Sequence, residues 1–214
     1  LLARYRTGRG QHVEVALFDT SLALLANVGS SHLATGKEAR RFGNGHPTIV
    51  PYTTFDAADK MIALAVGNDG QFAKLSEILG HPEWPLDDRF KTNTARIANR
   101  RLVDSMVGDE LKKKNSQELI TQLRLHGIPV GPVNTVSEAL STEHAKARNM
   151  VLAIAHETIG HFQSLGTPLK MQDTPTSIRR APPRLGEHTR VVLESYLKLD
   201  QTQIDDLYTS GVIG

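Results

Sequence analysis

The run Gly43-Asn44-Gly45-His46-Pro47 is the densest cluster of turn formers in the sequence. Glycine and asparagine admit backbone angles that regular elements do not use, and proline removes a donor, so neither a helix nor a central strand passes through it. The chain is thereby divided into segments of different periodicity. Ahead of the cluster, His12-Val13-Glu14-Val15-Ala16-Leu17 alternates polar and apolar residues and predicts a half-buried strand. Asp19 and Thr20 offer caps for an apolar helix from Ser21 to about Leu33, in which Leu22, Leu24, Leu25 and Val28 are expected to be deeply buried. The opening Leu1-Leu2-Ala3-Arg4-Tyr5-Arg6 followed by Thr7-Gly8 reads as the last turns of a helix, with the expectation of a chain cut from a longer one inside that helix.

After the cluster, Ile49 to Phe55 and Met61 to Val66 read as the strands of a hairpin joined by Asp56-Ala57-Ala58-Asp59-Lys60. Asn68 or Asp69 caps a helix from Gln71 to Leu79 that stops at Gly80, and Trp84 and Phe90 are packing anchors in an irregular stretch. Thr92 or Asn93 starts a charged helix to about Lys114, and Ser116 to Leu125 forms another. Ile128 to Val133 is extended but too rich in proline for a central strand. Ser137 to Arg148 reads as helix, Val151 to His156 and Phe162 to Leu165 as strands, and helices near Glu187 to Leu197 and Gln201 to Ser210 follow. The order is mixed α/β, with residues 47–148 as one unit between segments 1–46 and 149–214.

Charge and composition narrow the function. Lys and Arg number 25 against 23 Asp and Glu, so the net +2 lacks the basic excess that nucleic-acid or membrane-surface binding uses. With no cysteine there is no disulfide framework, thiolate nucleophile or Cys-based zinc site. No apolar run reaches the roughly 20 residues of a membrane span. No metal site is expected, since the nine histidines are dispersed and only His156 and His161 lie close together. Nucleophile-elbow, P-loop and dinucleotide-binding patterns are absent.

What remains is the cluster itself. Gly43 and Gly45 let a backbone approach a ligand and present N–H groups to developing negative charge, Asn44 adds an amide, His46 adds an imidazole donor, and Pro47 limits the loop's motion. A β-branched residue at Gly45 is expected both to block that approach and to resist positive φ. An ordinary linker between domains fits the same residues. Other clusters have plainer readings: Leu185-Gly186-Glu187-His188-Thr189 as a helix start, Arg96, Arg100 and Arg101 as a solvated helix face, and Lys112-Lys113-Lys114 as a helix-end cation cluster.

Several strings, taken in order, resemble the class III CoA-transferases, the group that includes formyl-CoA transferase and carnitine CoA-transferase. They are Thr7-Gly8-Arg9-Gly10-Gln11-His12-Val13-Glu14-Val15-Ala16-Leu17-Phe18-Asp19, then Gly43 to Pro47 with Pro51-Tyr52 and Phe55, then Ala65-Val66-Gly67-Asn68-Asp69 with Gln71-Phe72. Arg89-Phe90, Arg96 with Asn99-Arg100, Gly127 to Val133, Ala147-Arg148-Asn149-Met150 and Leu185 to Thr189 continue the series. The resemblance implies a remnant of a Rossmann-like large domain, residues 1–46 and 149–214, with an inserted α+β small domain at 47–148. It implies transfer of CoA from an acyl-CoA to a carboxylic acid through aspartyl anhydride and thioester intermediates, with the CoA thioester as substrate and no bound cofactor. The nucleophilic aspartate is expected upstream of Leu1, so no residue here is assigned a catalytic role and the fragment alone is expected to be inactive. Gly43, Asn44, Gly45, His46 and Pro47 match the loop that closes over the acyl site. The complete enzyme is expected to be an interlocked homodimer in the cytoplasm, or the mitochondrial matrix of a eukaryote, without nucleic-acid or membrane partners. Two alternatives stay open: an α-methylacyl-CoA racemase or epimerase, for which Asn68-Asp69 lacks the expected glutamate, and a non-catalytic module that binds a partner chain.

Overall fold

A strand needs a neighbour to satisfy its backbone, and the segment 12–16 has none. In the computed structural model, which describes residues 1–214, this segment is extended but unpaired. It lies between α1 (Leu2–Thr7) and α2 (Leu17–Ala23), so the predicted first strand is not formed. The predicted apolar helix is split: α2 ends at Ala23 with Leu24 as its C-cap, Ala26 takes φ +35°, and α3 (Ala26–Thr35) follows. None of the three helices has a buried residue, and Leu24 is 79% exposed, which reverses the expected burial of Leu22, Leu24, Leu25 and Val28. Periodicity marks a face as apolar; whether that face is covered depends on what packs against it.

The chain forms two compact units, Leu1–Val133 and Asn134–Gly214. In the first, the predicted hairpin is present as β1 (Tyr52–Asp56) and β2 (Met61–Ala65), antiparallel with Thr54 opposite Ala63. The prolines of the 128–133 segment sit on an edge, as expected: β3 (Val130–Pro132) pairs only with β2, Ala63 opposite Gly131. The alternation of β2 turns Ile62 and Leu64 inward and Met61 and Ala63 outward. Four helices complete this unit: α4 (Asp69–Leu79), α5 (Asn93–Ala98), α6 (Arg100–Leu111) and α7 (Ser116–Leu125). Asn68 caps α4 through the amide of Gln71, and Gly80 ends it in the left-handed region. The single helix expected from residue 92 to 114 breaks at Asn99 into α5 and α6.

The apolar core lies between Val50 and Ile128, with Phe72, Leu75, Val103, Val107, Leu111 and Leu123 fully removed from solvent. Each such side chain contributes about 1.5–3 kcal/mol. Trp84 and Phe90 are buried anchors as predicted.

The second unit contains α8 (Val136–Ser141), α9 (Glu143–Ala147), a hairpin of β4 (Val151–His156) and β5 (Gly160–Leu165), then α10 (Thr189–Val192) and α11 (Gln201–Thr209). Thr135 with Glu138 and Asp200 with Gln203 form reciprocal caps that start α8 and α11. Its buried apolar residues are Ala145 and Ile204. The architecture is mixed α/β with two small antiparallel sheets.

Candidate functional site

The turn cluster folds into a tight loop because its two glycines carry different constraints. Gly43 has φ +59°, a conformation that costs other L-residues about 1–2 kcal/mol. Gly45 closes the turn by donating its N–H to Phe42 O at 2.9 Å, and a Cβ there would lie 3.1 Å from that oxygen. The positive φ expected at Gly45 therefore falls on Gly43 instead, and Gly45 is needed for close approach.

The loop is then fastened to the sheet. The His46 amide donates to Tyr52 O at 2.9 Å, and its imidazole stacks on the Tyr52 ring with centroids 5.1 Å apart. The Thr48 amide donates to His46 Nδ1 at 3.2 Å, which assigns the proton of the neutral ring to Nε2 and makes that atom a donor. Asn44 Nδ2 reaches Thr54 Oγ1 at 3.3 Å. The amides of Gly43 and Asn44 donate to nothing within the chain.

Two cavities flank the loop. A groove of about 680 Å³ runs between it and α3, lined by apolar residues such as Leu25 and Val28 together with His32, Phe42, His46 and Pro47. Glu38 is its sole carboxylate. A smaller cavity of about 240 Å³ is bounded by Gly45, Thr53, Arg100 and Asp104 and shares Arg40 and Phe42 with the groove. Burial pushes the Asp104 carboxyl above its ordinary value, Arg100 acting against this, and Asp104 Oδ1 has no partner. Of the predicted residues, His46 and Pro47 line the groove and Gly45 the small cavity, whereas Gly43 and Asn44 line neither.

The arginines overturn the solvated-face reading. Arg96 is fully buried: Nε donates to Val50 O, Nη1 to Phe90 O and Nη2 to Asp69, each at 2.8 Å, and the guanidinium lies 4.5 Å from the Phe72 ring centroid. Burial lowers its pKa and Asp69 opposes that shift. Arg100 Nη2 donates to His46 O at 2.7 Å and Pro47 O at 3.1 Å. Only Arg101 is exposed as expected. The missed signal was spacing, since Arg96 and Arg100 continue the stripe of Val103, Val107 and Leu111, the face of these helices that packs inward. Asn93 was also missed; its side chain bridges Thr48 O and the Val50 amide just beyond the loop. Asn68 and Asp69 are occupied by capping and by Arg96.

In the second unit, Gly186 turns with φ +77° and the Glu187 carboxylate accepts from the Arg184 amide at 2.7 Å, which holds it below its ordinary value just ahead of α10. Lys113 pairs with Glu110 at the end of α6. No three His, Asp or Glu side chains are placed to hold a metal ion, and no helix is long and apolar enough to cross a membrane.

Comparison with known proteins gives these contacts a setting. The family description "CoA-transferase family III" matches residues 1–189. A succinate–glutarate CoA-transferase of Agrobacterium fabrum is 36% identical over 202 residues, covering 94% of this chain and 50% of that protein. A succinyl-CoA:glutarate CoA-transferase of Mus musculus is 32% identical, covering 100% and 49%. Among solved structures, a CAIB/BAIF family protein from Brucella suis is 38% identical with a TM-score of 0.74, covering 91% of this chain and 50% of that one. The chain spans about half the length of the curated relatives it matches.

Proposed function

Because the chain belongs to CoA-transferase family III, we propose that it supplies the loop side of an acyl site in an enzyme that moves CoA from an acyl-CoA donor to a carboxylic acid. The relatives named for succinate and glutarate favour small dicarboxylic acids as donor acyl group and acceptor. The single observation that carries this reading is the turn from Gly43 to Pro47: His46, with Nε2 unengaged, and Pro47 border an apolar groove, and the amides of Gly43 and Asn44 ahead of them in the turn donate to nothing within the chain.

That arrangement suits acyl transfer through an aspartate. The carboxylate adds to the thioester carbonyl, the C–S bond breaks, and CoA thiolate leaves an aspartyl anhydride. The thiolate then attacks the aspartyl carbonyl and releases the donor acid. The acceptor acid attacks the resulting aspartyl thioester, and the returning thiolate cleaves the new anhydride at the acceptor's carbonyl. Each addition places negative charge on a carbonyl oxygen, which fixed N–H donors stabilise. No aspartate lines the groove, so on this reading the nucleophile is brought to it from elsewhere. The same reading assigns residues 1–46 and 149–214 to a Rossmann-like large domain, 47–148 to an inserted small domain, and the complete enzyme to a homodimer. In support, the core from Val50 to Ile128 falls inside the insert.

Isotope-labelled CoA exchange between succinyl-CoA and glutarate tests the proposal. The intact protein is expected to turn over at roughly 1 per second or faster, and these 214 residues alone are expected not to. Wash-in of deuterium at the α-carbon without CoA exchange would overturn it in favour of a racemase.

A further inference from the structure

We propose that Arg100 is the positioning residue of the 43–47 loop, one guanidinium that grips both ends of the turn and thereby aims its free donors. This rests on the acyl-facing reading of the loop. At the far end of the turn, Arg100 donates to two successive carbonyls, His46 O and Pro47 O. At the near end, its guanidinium lies 5.7 Å from the Phe42 ring centroid, and Phe42 O closes the turn onto Gly45. A Cβ at Gly45 would lie 3.6 Å from Arg100 Nη1, an ordinary van der Waals distance, so the guanidinium packs against this side of the turn. Arg100 is the first residue of α6, whose Val103, Val107 and Leu111 are fully buried, so the grip is anchored in the core. Asp104, on the same helix, places an opposite charge beside the guanidinium across the small cavity.

The chemistry singles out arginine. Nη2 alone donates to both carbonyls while the planar guanidinium presents a face to the Phe42 ring; a lysine ammonium keeps the charge and a donor but has no planar face to lay on the ring. Arg100 touches none of the proposed reacting atoms, so its effect reaches them through the loop.

The test uses Arg100→Lys with Arg101→Lys as the matched control. Amide hydrogen exchange at Gly45 and His46 is expected to accelerate by roughly 10- to 100-fold in Arg100→Lys, the worth of a charge-assisted hydrogen bond. Exchange at Ile62 and Leu64 should stay at the wild-type rate, as should all four positions in Arg101→Lys. In the intact protein, kcat should fall over a similar range while KM stays constant. Wild-type exchange at Gly45 and His46 would overturn the role of Arg100 and leave the acyl-facing reading untouched. Equal acceleration at Ile62 and Leu64 would make Arg100 a general structural residue and overturn the proposal. A loosened loop with unchanged turnover would overturn the role and the acyl-facing reading together.

Discussion

At Gly43 the backbone turns through φ +59° with open space where a Cβ would stand, whereas at Gly45 a Cβ would press on the Phe42 carbonyl. Gly43→Ala is therefore expected to cost about 1–2 kcal/mol of conformational strain without moving the neighbours. Gly45→Val should displace the turn. His46→Ala removes one of the donors on the groove, a loss typically worth about 2.7–4 kcal/mol of transition-state stabilisation. In the intact protein both Gly45→Val and His46→Ala should lower kcat far more than Tm, with the glycine change the more damaging. Steady-state kinetics beside thermal unfolding checks this; wild-type kinetics in both folded variants would reduce the loop to a linker. The residue types of this loop were readable in sequence. The burial of Arg96 was not, because a guanidinium is accommodated inside only when carbonyls such as Val50 O and Phe90 O converge on it from distant positions.

Local elements follow their caps where the cap is a side chain. Asn115 accepts from the amides of Gln117 and Glu118 to start α7, and Asp59, in the β1–β2 turn, accepts from the Ser116 amide at 2.7 Å and its hydroxyl at 2.9 Å. These two bonds, the backbone one first, hold the Asp59 carboxyl below its ordinary 3.8. A carboxylate with a depressed folded-state pKa contributes stability that is present above the unfolded value and lost as pH falls through the folded one. Urea midpoints should therefore decline in the wild type below about pH 3.8, and decline less steeply in Asp59→Asn, whose amide keeps an acceptor oxygen but does not titrate. Identical slopes would show that this tie contributes nothing. Where helices broke unexpectedly, at Ala26, at Asn99 and, within the helix expected over 137–148, at Thr142, no proline or glycine announced it. At Asn99 the side-chain amide bonds back to Ala95 O and across to Arg89 O, a contact made only after folding.

Across the whole chain, burial is concentrated between Val50 and Ile128, while Leu1 to Thr35 has no buried residue in its helices. Opening free energies are lowest where few apolar contacts must be broken. Limited trypsin digestion is expected to cut first after the exposed Arg40 or Arg41 and after Arg179 or Arg180, leaving a fragment that retains the core. Mass spectrometry of the first products checks this, and early cleavage between Gln71 and Lys114 would contradict it. The strand predicted at 12–17 and the burial predicted for Leu22 to Val28 failed at this scale, since both needed a surface to pack on.

By itself, the sequence determined the hairpin, the α4 and α7 helices, the edge position of the proline-rich strand, the loop at 43–47 and the family, because each is written in neighbouring residues: alternation, caps, turn formers and ordered strings. Tertiary structure alone decided that Arg96 is internal, that Arg100 holds the loop, that Asp104 keeps an unpartnered oxygen and that the apolar helices before residue 36 are exposed. Those outcomes depend on which carbonyls, rings and faces meet across dozens of residues, and local spacing carries no record of the partner.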